Sequence, residues 1–277
     1  MSSVNELKIK DIVAYALKED IGSKDITTQG LIPADKFVKA QIIVKEDCIV
    51  CGLRIASLAF KIIDKDIKFK ILAKDGDFVK KGRVIAQVCG RARNILIAER
   101  VALNFLCLLC GISTKVKSFV NTVKPRKVKI MDTRKTIPCI RALEKYAVRI
   151  GGGFNHRMSL SDMILVKDNH LRIIGGIGKL KQLSHKHKIE IEVENLKDFL
   201  YALKLKPDII MLDNMNIKDI RKAVLIRNSL TPKLEASGGI HLQNVKQFAA
   251  TGVDMISIGA LTHSVKSIDI SLEVLRK

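Results

Sequence analysis

From about residue 127 onward, short apolar segments recur, and each ends in polar or glycine residues: VKIMD, MILVKD, IEIEVE, DIIMLD, KLEASG and MISIGA. Amphipathic helical patterns fall between most of them. Strands that alternate with helices build parallel βαβ units, because a parallel neighbour is reached only through a crossover connection. A full eight-unit barrel takes about 250 residues, so six or so units over about 140 residues suggest a barrel with short repeats, incomplete rather than the full eight-unit form. In a parallel barrel the C-terminal ends of all strands open on one face. A doubly wound sheet would gather the same ends at its carboxyl edge, so the place of a site does not depend on closure.

The polar residues at those ends are Asp132 to Lys135, Lys167 to His170, Glu192 and Glu194, Asp213 with Asn214, Ser237 to Gly239, and Gly259. Between residues 131 and 171 the chain gathers Arg134, Lys135, Arg141, Arg149, Arg157 and Lys167 with two histidines. Such a concentration points to a small ligand with several negative groups, since an Arg fork matches a carboxylate bidentately. Gly151 to Gly153 either deliver His156 and Arg157 toward this cluster or form a flexible loop. Glu192 and Asp213 suit Mg²⁺, which prefers oxygen ligands, or sugar hydroxyls; the plainer alternative is pairing with neighbouring cations. Ser237-Gly238-Gly239 and Gly259-Ala260 each follow a strand and precede a helical pattern, where backbone N–H groups can cradle a phosphate. His263 lies near the second of these turns as a secondary contact, whereas His185, His187 and His241 read as surface residues.

The first part of the chain has a different rhythm. Residues 4–18 carry an amphipathic helical pattern with Val4, Leu7, Ile12, Ala14, Ala16 and Leu17 among charges. Residues 37–90 read as short strands separated by turns such as Asp75-Gly76, with helical patterns over 53–64 and 92–122. A hydrophobic share of 47% with 28% charged residues is that of a soluble globular protein. No run of about 18 wholly apolar residues is seen and the start does not read as a signal peptide, so the expectation is a cytoplasmic protein without membrane contact. Cys48 and Cys51, and Cys107 and Cys110, have C-x-x-C spacing, but no further Cys or His completes a zinc site and both pairs read as structural thiols. A net charge of +21 raises local anion concentration. Its lysines are scattered rather than packed into one arm, aromatic residues are only 4%, and no nucleic-acid motif is present, which argues against a nucleic-acid partner.

Several motifs in one order, DTRKTIPCIRALEKYAVRIGGGFNHRMSLSDMILVKDNH, EVENL, IIMLDNM, EASGGI and TGVDMISIGALTHSVKSIDISL, resemble the quinolinate phosphoribosyltransferase family. The early segments ALKEDIGSKDITT and AERVALNFLCLLCGISTKV match it too, so the resemblance spans nearly the whole chain. It implies an N-terminal α/β sandwich-like domain over 1–115, joined by the C-terminal segment 266–277, and an open, incomplete TIM-like α/β barrel over 116–265. It also implies a homodimer that uses Mg²⁺ to join quinolinate and 5-phosphoribosyl-1-pyrophosphate, giving nicotinate mononucleotide, pyrophosphate and CO2.

By the same resemblance Arg100 reaches the quinolinate of the partner subunit. Arg134, His156, Arg157 and Lys167 surround the two quinolinate carboxylates, with Thr133 beside them. Lys135, Glu192 and Asp213 take the catalytic positions that handle pyrophosphate, ribose hydroxyls and metal, the last two as metal ligands. Ser237, Gly238, Gly239, Gly259 and Ala260 form the 5-phosphate cradle, and Ile258 is a further substrate-binding position. The sequence departs from the family pattern after Pro138, where the usual glycine is Cys139, and this puts the backbone of the clamp loop in doubt. One rival reading is a molybdenum-transport-associated pyrophosphorylase-like protein with another acceptor. A second is nicotinate as substrate, but a monocarboxylate would leave part of the cation set unpaired.

Overall fold

The computed structural model describes residues 3–180, 186–227 and 231–276; His185 lies outside them. Contacts gather Met1–Lys117, Ile137–Gly152 and Val265–Lys277 into one compact unit, and Ser118–Thr136 with Gly153–Ser264 into another.

The first unit opens with α1 (Ser3–Ile21) and α2 (Ile26–Leu31), followed by β1 (Phe37–Val44), β2 (Cys48–Ile49), α3 (Leu53–Ile63), β3 (Lys68–Ile71), β4 (Phe78–Val79), β5 (Val84–Arg91) and α4 (Ala92–Val123). Ile9, Val13 and Leu17 of α1 recur every four residues and are buried, whereas Ile12, Ala14 and Ala16 are only half-buried. In β1 the alternate residues Ala40, Ile42 and Val44 turn to the core, as the period of a pleated strand requires. Helix α4 is long and apolar enough by composition to cross a membrane, against the expectation from the sequence. However, 61% of its apolar stretch is buried, so that surface serves the protein interior. All six cysteines are free, and Cys110 Sγ accepts from the Cys51 amide at 3.2 Å.

The second unit carries β6 (Lys129–Met131); after it comes α5 (Arg141–Ile150), which packs with the first unit. Then follow β7 (Ile164–Val166), α6 (Asp168–Ile174), a 3-10 turn, β8 (Ile189–Val193), α7 (Leu196–Lys204), β9 (Ile209–Asp213), α8 (Ile217–Arg227), β10 (Lys233–Ser237), α9 (Val245–Ala249), β11 (Met255–Ser257) and α10 (Ala260–His263). The last strand, β12 (Ile270–Val274), runs antiparallel to β1 in the first unit, where the sheet order is β12-β1-β5-β3. The second sheet has the order β6-β11-β10-β9-β8-β7 and every neighbouring pair is parallel. β6 and β7 are its two edges and do not pair with each other. Phe154 adds only a single parallel bridge to Met131, so the barrel is open.

Two details bear on the clamp segment. The glycine run is not simply flexible: Gly151 ends α5, and a Cβ there would come within 2.6 Å of Ser113 O and Val116 Cβ. Cys139 holds φ at +68°, the left-handed region that glycine occupies without penalty. The backbone thus keeps the conformation glycine favours and the side chain bears the cost. Cys139→Gly is expected to raise stability by about 1 kcal/mol, read from urea midpoints.

Candidate active site

The strand ends of the second unit surround a cavity of about 620 Å³. The turn after β6 contributes Thr133, Arg134 and Lys135; the segment after Phe154 contributes His156 and Arg157; β7 ends in Lys167. Glu192 comes from β8 and Asp213 from β9, while Ser237, Gly238 and Gly239 follow β10, and Ile258, Gly259 and Ala260 follow β11. Leu165, Met211 and Ile240 add apolar wall. Every residue that the family resemblance assigns to the site, except Arg100, therefore lines one cavity. Arg100 is exposed on α4 of the first unit. Arg141 and Arg149 belong to α5, and neither Glu194 nor His170 lines the cavity. His241 is exposed, as its surface reading expects, and also lines the cavity, as does His263.

Two neighbourhoods can be told apart. In the first, Arg134 Nε is buried with no hydrogen-bond partner among the described residues. Burial, and next the Arg134 charge, weaken the hold of Arg157 on its proton, and Glu190 opposes them. Two guanidiniums kept this close, one with an orphaned donor, suit an anion. Lys167 Nζ lies 2.9 Å from Glu192 Oε2. Burial raises the Glu192 pKa; Lys167 opposes the rise and Asp213 adds to it.

In the second neighbourhood the turns are glycine by necessity. Gly238 has φ of +90°, and a Cβ there would collide with the Asn214 side chain. Asn214 is itself tied to Asp213 Oδ2 at 2.6 Å and, through its amide, to Ser237 O at 2.9 Å. The stem of Lys135 passes over Gly259, where a Cβ would lie 3.0 Å from Lys135 Cδ, and Thr262 Oγ1 donates to Lys135 O at 2.6 Å.

These geometries sit in a chain whose relatives are known. The family profile for the quinolinate phosphoribosyl transferase C-terminal domain matches residues 112–273, and that for the N-terminal domain matches residues 25–110. This chain belongs to the quinolinate phosphoribosyltransferase family. It is 41% identical to a probable nicotinate-nucleotide pyrophosphorylase (carboxylating) of Bacillus subtilis over 279 residues, covering 98% of this chain and 95% of that protein. Identity to the corresponding Methanocaldococcus jannaschii protein is 43%, with 96% of each chain covered. The solved nicotinate-nucleotide pyrophosphorylase of Francisella tularensis superposes with a TM-score of 0.90 at 41% identity, covering 97% of this chain and 96% of that one.

A feature of this family member that the sequence reading passed over lies behind His156. Glu190 and Glu235, both fully buried, approach its Nε2 at 3.0 and 3.6 Å. Burial first, then the Glu190 carboxylate, pushes Glu235 up to about 8, against the pull of His156. A carboxyl with a higher pKa folded than unfolded binds more protons when folded. Its contribution to stability is therefore full below about pH 4.5 and is lost as pH rises toward about 8. Glu235→Gln is expected to flatten that loss, which urea midpoints at about pH 5 and about pH 8 measure.

Proposed function

We propose that the cavity binds quinolinate against Arg134, Arg157 and Lys167, and 5-phosphoribosyl-1-pyrophosphate against the glycine turns. The enzyme is a quinolinate phosphoribosyltransferase (decarboxylating), which makes nicotinate mononucleotide for NAD biosynthesis. The observation that carries the site reading is the shared cavity: paired guanidiniums with a buried orphan donor, and two glycine turns beneath Lys135. Backbone N–H groups of Ser237 to Gly239 and of Gly259 and Ala260 cradle the 5-phosphate, with Thr133 and Ile258 in the flanking wall.

The ring nitrogen of quinolinate forms the bond to the ribose anomeric carbon as the bond to pyrophosphate breaks. Lys135 stands over Gly259 to receive the leaving group's charge. The resulting pyridinium accepts the electron pair released when the 2-carboxylate leaves as CO2, and a proton takes its place on the ring. Holding both substrates in line supplies much of the acceleration, and no nucleophilic side chain is needed. Glu192 and Asp213 fit Mg²⁺, because they bring carboxylate oxygens whose mutual repulsion a cation would relieve. When bound, the ion supplies neutralisation of phosphate oxygens; both carboxylates also suit the ribose hydroxyls. Pyrophosphate release that needs quinolinate, 5-phosphoribosyl-1-pyrophosphate and Mg²⁺ together tests this reading, and release without Mg²⁺ contradicts the metal assignment.

The homodimer and the cytoplasm complete the proposal. Six free cysteines suit a reducing compartment. Exposed Arg100 outside the cavity lining suits a residue that completes a partner's site. Mixing Arg100→Ala with Lys135→Ala protein restores activity if each hybrid dimer carries one intact site. Hybrids that form and stay inactive would refute the arrangement.

A further inference from the structure

The residues that line the cavity leave one question open: which atoms of His156 face the substrate. Nδ1 is hydrogen-bonded, and Nε2 is buried close to two carboxyl groups without hydrogen-bond geometry to either. Nδ1 receives the Arg157 backbone amide at 2.8 Å, and an amide can only donate, so Nδ1 carries the lone pair. The ring hydrogen therefore sits on Nε2, the atom that faces the carboxyl groups of Glu190 and Glu235 at 3.0 and 3.6 Å. The backbone amide of His156 is fixed as well, donating to Asp132 Oδ1 at 2.8 Å. Arg157 leaves this anchored turn directly and its Nη1 donates to Met163 O at 3.3 Å.

Potential ligand atoms of His156, Glu190 and Glu235 also lie within 4.8 Å of one another, a spacing that could hold a metal. The hydrogen bonding argues otherwise. A metal-bound histidine donates its other N–H, whereas here the other nitrogen accepts and Nε2 has no lone pair to offer.

We propose that Glu190 and Glu235 are positioning residues: by their closeness to Nε2 they favour the orientation of His156 in which Nδ1 takes the Arg157 amide, and so aim the Arg157 guanidinium into the cavity. His156 then presents ring carbons rather than a nitrogen to the ligand, and recognition of the negative groups falls to Arg134, Arg157 and Lys167. The proposal deepens the quinolinate reading and rests on it for the identity of the ligand. Glu190 is the second residue of β8 and Glu235 the third of β10, two strands separated only by β9. The two strands that flank β9 thus support one ring.

The test has two parts. Nitrogen-15 NMR of the ligand-free wild-type protein reports the tautomer without any reaction. A hydrogen on Nε2 and a bare Nδ1 are expected at neutral pH. A hydrogen on Nδ1 overturns the proposal, whatever the enzyme turns over. In the second part, Glu190→Leu is expected to weaken quinolinate binding about 100-fold and leave 5-phosphoribosyl-1-pyrophosphate binding unchanged. Glu190→Gln, which keeps an oxygen acceptor for Nε2–H, recovers most of that loss. Equal losses for both substrates, or no recovery with Gln, mark a merely structural role and overturn it. If Glu190→Leu does not fold, the wild-type tautomer and the Gln variant decide.

Discussion

Arg134→Ala is expected to lower kcat/KM for quinolinate roughly 10²–10³-fold, the effect of truncating one partner of a buried charge-assisted pair. The residue stands close enough to Arg157 for the two charges to repel, and its Nε is buried without an acceptor among the described residues. Removing it leaves one carboxylate of a dianionic ligand facing a single guanidinium in a partly dry cavity. Arg134→Lys is not expected to rescue, because a point charge cannot reproduce the planar fork. Steady-state kinetics over a quinolinate series measures the loss. Full activity with unchanged quinolinate affinity in Arg134→Ala would remove this residue from the clamp.

Lys135→Ala should act differently. Its stem lies over Gly259 and its carbonyl is held by Thr262, which puts the side chain at the phosphate end of the cavity. Negative charge appears there only as pyrophosphate departs. Loss of such a preorganised cation is expected to lower kcat about 10²–10³-fold while quinolinate affinity is retained. Single-turnover measurements separate the chemical step from product release. A variant that raises only KM for quinolinate would place Lys135 in the clamp instead.

The strand ends were legible because two regularities coincide in them. Short apolar segments fix the strands, and the parallel order sends all their C-terminal ends to one face. For that reason Arg134, Lys167, Glu192, Asp213 and the two glycine turns could be placed together before any coordinates. The incomplete barrel followed from the small number of repeats, and its openness from the family resemblance. Glu190 and Glu235 were hidden by the same logic, for they sit inside strands rather than at their ends. Alternation does place Glu190 and Glu192 on one face of β8, the only local sign that an acid enters the interior. His241 was missed because exposure and a place at the cavity mouth look alike in sequence. Nor does any pattern announce that α5 packs with the first unit, since its buried side, Leu143, Ala147 and Val148, would suit any apolar neighbour. The left-handed backbone at Cys139 was visible only as an unexpected residue in the family motif, and the structure turns that departure into a measurable strain.

The most direct test of the account is product formation by the purified protein with 5-phosphoribosyl-1-pyrophosphate and Mg²⁺, with quinolinate and nicotinate compared side by side. Quinolinate alone should yield nicotinate mononucleotide, with CO2 released in equal amount. Turnover of nicotinate but not quinolinate, or of neither, would contradict the two-carboxylate clamp.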